Sequence, residues 1–208
     1  MKINRNIVGL VAVAGVAYAA GHFGVLSGGG SDAWAQTERE PSPEELAYMK
    51  AGTPGKHHEI LGQMVGEWEG RFTMRMDPNA EPMVTTGTVS RKWILDGRFV
   101  QEDVVGQIPD LGTFRGLGFV GYNNFDGQFE SIWMENMSTS IAMSRGNYHP
   151  DKKVLHMAGD VRDPVTGRVV HQWGKMDMSD PDRHIYTGYA TDPDGRTYTA
   201  FEGVMERK

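Results

Sequence analysis

The chain has 208 residues, no cysteine and a formal net charge of −6. This length accommodates one domain and a leader. The acidic balance argues against binding to nucleic acid or to an anionic membrane surface, because both require a basic face. The absence of cysteine excludes disulfides, a thiol nucleophile, a thiolate metal site and a lipoprotein lipid anchor.

Residues 1–35 have the pattern of an export signal. A basic start precedes an uncharged apolar run over residues 7–20, and Ala33-Trp34-Ala35 has the small-residue pattern of a cleavage site. An uncleaved membrane anchor is the alternative, because residues 7–26 are long enough to span a bilayer. Both interpretations predict an exported domain, either periplasmic or secreted, and the second adds membrane contact through the anchor alone.

Residues 36–52 are predicted to be a linker followed by a short helix. Ser42 is a favourable N-cap, Pro43 suits the first helical position, and Glu45 completes a capping box. A second short helix is predicted to start at Thr53 as its cap. One or two short helices should therefore precede the main domain.

The pattern changes to a period of two after Gly66. Apolar and polar residues alternate from Trp68 to Met76, which indicates a strand with one buried face. Further strand-like runs, mostly separated by turn signals, are predicted at residues 84–95, 98–106, 113–122, 128–135, 139–147, 153–161, 168–178, 184–191 and 196–206.

About ten short strands with hairpin-length connections are typical of an all-β, antiparallel up-and-down barrel, here over residues 53–208. Closure removes the unpaired edges that a long meander would otherwise expose. A Greek-key sandwich is the alternative, and it would need long crossover connections that the sequence does not show.

Several short segments carry a family resemblance. Gly66-Glu67-Trp68-Glu69-Gly70 opens the first strand directly after a helix, and characteristic runs follow at residues 95–100, 116–123, 133–139 and 163–167. In their order and spacing, these segments resemble the uncharacterised domain family 1579 over about residues 53–207. The resemblance implies a lipocalin-like, calycin-type barrel and no particular activity.

The resemblance also implies a structural role for Trp68. In calycin-type barrels this tryptophan packs under an arginine of the last strand, and Arg207 is the candidate here. A guanidinium over an indole contributes about 0.5–2 kcal/mol.

The predicted function is binding of a small apolar or amphipathic molecule inside the barrel. Binding pockets are usually lined by apolar and aromatic side chains with few polar groups. The predicted wall residues are Phe72, Met74, Trp93, Phe114, Trp133, Met143, Trp173 and Tyr189. A filled scaffold barrel and an enzyme using the same cavity remain as alternatives.

Haem binding is a further alternative, because one inward histidine in a barrel can hold a haem iron, as in nitrobindin-type barrels. His171 is the better candidate on strand parity. Only the barrel shape points to iron, so no cofactor and no metal site are predicted. The 13 methionines of the chain are interpreted as residues that fill the core rather than as copper ligands.

Two further motifs are interpreted structurally. Residues 116–121 match the dinucleotide fingerprint, but no helix follows, so the glycines indicate strand curvature. Glu102 and Asp103 are neighbours on a strand and face opposite sides, so they cannot act as a carboxylate pair. Glu135 is a possible inward polar group. No catalytic residue is predicted.

Overall fold

The computed structural model describes residues 40–75, 78–163, 167–192 and 194–208. Two helices come first: α1 (Pro43–Ala51) and α2 (Lys56–Gly62). The strands that follow are β1 (Gly66–Met74), β2 (Met83–Ile94), β3 (Phe99–Ile108), β4 (Gly112–Asn123), β5 (Gln128–Glu135), β6 (Ala142–His149), β7 (Val154–Arg162), β8 (Val169–Asp180), β9 (Arg183–Thr191) and β10 (Thr197–Arg207).

The strands form a closed antiparallel barrel in sequence order. Each strand pairs with its neighbours in the chain, and β1 closes the barrel on β10 through seven residue pairs from Trp68↔Arg207 to Met74↔Phe201. The predicted all-β, up-and-down barrel is confirmed. No strand pairs across a crossover among the described residues, so the Greek-key alternative is wrong.

The first helix begins as predicted. The Ser42 side chain accepts a hydrogen bond from the Glu45 amide at 3.2 Å, and the Ser42 amide donates to Glu45 Oε2 at 2.7 Å. These two bonds form the capping box, which satisfies two amides that the helix itself cannot pair.

The second helix begins two residues later than predicted, with Gly55 as its N-cap. The Thr53 hydroxyl instead donates to the Met49 carbonyl of α1 at 2.6 Å. The Gly55 amide donates to His58 Nδ1 at 3.1 Å. Thr53 therefore closes the end of α1, which leaves it unable to cap α2.

Hydrogen bonds connect the helical segment to one end of the barrel. Asn124 Nδ2, in the turn after β4, donates to the carbonyls of Ala51 and Thr53 at 2.8 and 2.9 Å. Arg98, in the turn before β3, donates from Nε to the Gly52 carbonyl at 3.0 Å. This end is called the closed end below, and the opposite end, where β3 passes to β4 and β5 to β6, is called the open end.

The period of two is visible in the burial of β1. Trp68, Gly70 and Phe72 are buried, whereas the residues between them are exposed. The strand ends at Met74, so Arg75 lies beyond it, and the last residue of the predicted strand, Met76, lies outside the described residues, as does the predicted leader. No helix in the described ranges is long and apolar enough to cross a membrane.

Candidate functional site

The barrel encloses a cavity of about 740 Å³. Most of the side chains around it are apolar. Those on the inward face include Phe72, Met74, Met83, Val104, Ile108, Phe114, Trp133, Met157, Val161, Met176 and Phe201. Volume and lining are those of pockets that hold small organic molecules.

Trp133 of β5 forms one wall of the cavity because the neighbouring strand β4 has glycines beneath its ring. A Cβ atom at Gly116 would lie 2.3 Å from the Trp133 ring, and one at Gly118 would lie 3.0 Å from it. Gly118 is also the register partner of Trp133. The glycines of the fingerprint-like segment therefore make room for an indole, which explains them more directly than strand curvature does.

A second aromatic group lies across the cavity. Phe72 covers Gly70, and its ring centroid is 6.0 Å from that of Phe201, which in turn is 5.8 Å from Tyr186. Phe72, Met74, Phe114 and Trp133 are thus placed on the wall, as the sequence predicts.

Three other predicted wall residues face outward. Trp173 pairs with Tyr189, while the next pair, Gly174 and Gly188, has the inward parity of Met176. Successive residues of a strand face opposite sides, so Trp173 and Tyr189 stack on the outer face, with ring centroids 5.9 Å apart. Met143 is 65% exposed, and its register partner Ile132 has the opposite parity to Trp133. The three residues still border the cavity, because they belong to strands that form its wall, but their side chains face outward.

Trp93 was predicted to line the cavity, but the structure places it elsewhere. It has inward parity, but it lies beyond the closed end of the barrel, where its ring sits 3.6 Å from the Cβ position of Gly62 in α2. Trp93 does not line the cavity. Parity alone cannot show where along a strand the cavity stops.

The candidate haem ligand does not reach the cavity. The His171 ring is 62% exposed, and its Nδ1 lies 2.8 Å from Asp160 Oδ1 on the outer face. No histidine lines the cavity among the residues described. The residues present therefore do not fit a haem held by an inward histidine.

A buried ion pair lies at the base of the cavity. Arg91 Nε donates to Glu102 Oε2, and Arg91 Nη2 lies 3.1 Å from Met205 Sδ. The Arg91 side chain is only 2% exposed, whereas that of Glu102 is 23% exposed. Both residues have inward parity, and they are register partners.

Tyr186 adds a hydroxyl to this region. Its oxygen occupies the space above Gly174, where a Cβ atom would lie 2.6 Å away. Burial, with a smaller contribution from the Glu102 charge, raises the pKa of Tyr186. The phenol therefore stays protonated at neutral pH and can both donate and accept a hydrogen bond.

Three further polar side chains of the lining are hydrogen-bonded within the wall. The hydroxyl oxygens of Ser131 and Ser144 are 2.6 Å apart. Glu135, suggested by the sequence as an inward polar group, borders the cavity near the open end and accepts a bond from the Met137 amide.

Trp68 closes the base below the ion pair. Its Nε1 donates to the Met64 carbonyl at 3.0 Å, and the Arg207 guanidinium lies 4.1 Å from its ring centroid. Arg207 also donates to the carbonyls of Val65 and Gln63 at 2.7 and 3.0 Å. The contact implied by the family resemblance is present, and its contribution to stability stays a prediction.

His184 is a buried histidine on β9. Its ring is fully buried, with its centroid 4.4 Å from that of Trp68, and neither ring nitrogen has a hydrogen-bond partner. Burial, reinforced by the charges of Arg91 and Arg207, lowers the pKa of His184 to about 4. The ring is therefore neutral at physiological pH and serves as packing.

The ion pair was not predicted from the sequence, although the sequence contains its signal. Arg91 follows Val89 at an inward position of β2, and Glu102 lies between Val100 and Val104 on β3. Opposite charges at the apolar parity of two consecutive strands predict a buried pair, because an isolated buried charge is costly.

The fold and cavity define the chain as a calycin-type barrel. The family model "Protein of unknown function (DUF1579)" matches residues 53–207. The chain therefore belongs to the DUF1579 family, as the sequence resemblance predicts.

Two solved structures have the same fold. Rv2717c from M. tuberculosis superposes with a TM-score of 0.54 at 14% identity, covering 75% of this chain and 99% of that one. The S-type phycobiliprotein lyase CPES from Guillardia theta has a TM-score of 0.52 at 8% identity, with coverages of 81% and 98%. No curated protein matches the chain.

Proposed function

We propose that this protein binds a small apolar or amphipathic molecule inside the barrel. The observation that carries the proposal is the cavity of about 740 Å³ with an apolar and aromatic inner wall. A wall of this kind gains free energy when an apolar ligand replaces the water next to it. A solid interior, which the scaffold alternative requires, does not fit this volume.

Titration of the purified protein with the neutral fluorophore N-phenyl-1-naphthylamine tests the proposal. We expect saturable binding with quenching of tryptophan emission, since Trp133 lies in the wall. Native mass spectrometry of the protein from its expression host reports any ligand that is retained during purification.

Two neighbouring substitutions locate the binding. Val104 is buried and lines the cavity, whereas Val105 is 45% exposed on the outer face. We expect Val104→Phe to weaken probe binding by about tenfold because it fills the cavity, and Val105→Phe to leave binding unchanged. Absence of probe binding, or equal affinity in both variants, overturns the proposal.

We propose in addition that the domain is exported, on the strength of the leader pattern in residues 1–35. The intact mass of the full chain recovered from a bacterial host tests this. Cleavage after Ala35 supports export, and recovery of the uncleaved chain in the cytoplasmic fraction overturns it.

A further inference from the structure

We infer that the cavity selects a ligand whose buried end is an uncharged hydrogen-bond donor, such as a hydroxyl or an amide N–H, and that Glu102 accepts this bond. The inference rests on the proposed binding function and adds the chemistry of the ligand's head group. It follows from the geometry and the charges at the base of the cavity.

Glu102 presents one carboxylate oxygen to the cavity. Oε2 accepts from Arg91, whereas no side chain among the described residues donates to Oε1. The side chain faces inward between the buried Val100 and Val104. Its 23% exposure is therefore exposure to the cavity. Gly118, the register partner of Glu102 on β4, has no side chain, and the Trp133 ring covers it as part of the apolar wall.

Arg91 supports Glu102 but is itself out of reach. Nε is paired with Glu102, Nη2 contacts Met205, and Nη1 is buried without a hydrogen-bond partner. The guanidinium pairs with one carboxylate oxygen and leaves the other as a hydrogen-bond acceptor. A ligand can therefore reach the acceptor of this pair and not the cation.

The balance of charge disfavours an ionised head group. The charged side chains that line the cavity in the described chain are Arg91, Glu102 and Glu135. Arg91 and Glu102 already neutralise each other. A carboxylate would bring a second anion next to Glu102, and an ammonium would bring a second cation next to Arg91, each at a desolvation cost. An uncharged donor incurs neither cost.

Tyr186 completes the site. It lines the same cavity as Glu102, and its hydroxyl lies over Gly174 of β8. A ligand hydroxyl can therefore donate to Glu102 and accept from Tyr186. This pattern matches the one donor and two lone pairs of an alcohol.

Three probes with one chain length test the inference: 1-dodecanol, dodecanoate and dodecylammonium. Each displaces N-phenyl-1-naphthylamine below its micelle-forming concentration at about pH 7.5, where the acid and the amine are ionised. We expect 1-dodecanol to bind about tenfold more tightly than either ion, because a charged head is left imperfectly paired.

The Glu102→Gln variant should reverse the order. It leaves the buried Arg91 charge uncompensated. This charge acts on an anion without direct contact, because Coulomb attraction is strong where water is excluded, so dodecanoate should now bind more tightly than 1-dodecanol. Asp103→Asn is the matched control, since it removes a carboxylate charge at the neighbouring position on the outer face of β3 and should keep the wild-type order. If Glu102→Gln does not fold, Tyr186→Phe replaces it, and we expect the affinity for 1-dodecanol to fall about threefold while that for dodecanoate is unchanged.

The outcomes separate this inference from the proposed function. If neither the fluorophore nor any dodecyl probe binds, the binding function itself fails. If the probes bind but wild type holds dodecanoate or dodecylammonium at least as tightly as 1-dodecanol, the head-group inference fails and the binding function stands. An unchanged order in Glu102→Gln, or unchanged 1-dodecanol affinity in Tyr186→Phe, also overturns the inference.

Discussion

The same ten strands are packed differently at the two ends of the barrel. At the closed end, Leu61 of α2 and the strand residues Trp68 and Phe129 are almost completely buried. Toward the open end, Leu111 and Met137 border the cavity and are 62% and 47% exposed. The strands themselves do not cause this difference, because every strand contributes to both ends.

The difference between the two ends separates the residues that stabilise the fold from those available for binding. Buried apolar area stabilises the fold by about 25 cal/mol per Å², so the closed end carries the larger share of the packing energy per residue. The open end leaves apolar surface unburied, which is the surface a ligand can cover. Substitutions at the closed end should therefore act mainly on unfolding, and those near the cavity mainly on binding.

The largest effect is expected from Trp68→Ala at the closed end. The change removes a fully buried indole together with its hydrogen bond to Met64 and its contact with Arg207. We expect the free energy of unfolding to fall by about 3–5 kcal/mol. Urea denaturation measures it, and a midpoint unchanged within error would remove Trp68 from the stabilising contacts.

A somewhat smaller effect is the loss of stability in acid caused by His184. The folded-state pKa of about 4 lies below the ordinary value of 6.5. The unfolded chain therefore binds the proton first, and stability is lost as the pH falls from about 6.5 toward 4. Between about pH 7.5 and 4.5 this group should cost about 2–3 kcal/mol.

His184→Leu isolates that contribution, since leucine cannot be protonated. Urea denaturation at both pH values should show a smaller acid loss in the variant than in wild type. Some acid loss should remain, because burial also lowers the pKa values of His58 and His156. Identical acid losses in both proteins would contradict the assignment to His184.

A smaller effect is expected from Arg207→Lys. Lysine keeps the charge but cannot both stack flat on Trp68 and donate to Val65 and Gln63. We expect a loss of about 1–2 kcal/mol in the free energy of unfolding. Glu206→Gln, an exposed change at the neighbouring position, is the control and should stay near wild type.

The smallest effect on stability is expected at the cavity wall. Phe114 is only half-buried, so Phe114→Ala should lower the free energy of unfolding by about 1 kcal/mol. The same change at Phe129, which is 1% exposed at the closed end, should cost about 3–4 kcal/mol. Equal losses at both positions would show that the two ends are equally well packed.

Much of the fold could be predicted before any tertiary contact was known. The strand predicted at residues 128–135 has the bounds of β5, and most other strands shift by only a few residues. The capping box of α1 was also readable, because it is formed by residues within one turn. The start of α2 was not, because Thr53 bonds backward to α1 and the sequence does not show which neighbour a hydroxyl will choose.

The site was less predictable than the fold. Parity placed Phe72, Met74, Phe114 and Trp133 correctly because they lie in strands with clean alternation. It failed for Trp173 and Tyr189, whose strands carry apolar residues on both faces. The ion pair of Arg91 and Glu102 was overlooked because each residue alone looks like an ordinary surface charge.

The sequence by itself determined the all-β barrel, its strand order and its family, because these follow from local alternation, turn chemistry and short motifs. Only the tertiary structure decided which end of the barrel is filled. It also decided that the Trp133 ring packs on Gly116 and Gly118, and that Glu102 faces the cavity in an ion pair with Arg91. Those features depend on contacts between residues on different strands, and their strength is set by burial. A linear pattern of residues does not specify how deeply each position lies once the barrel closes.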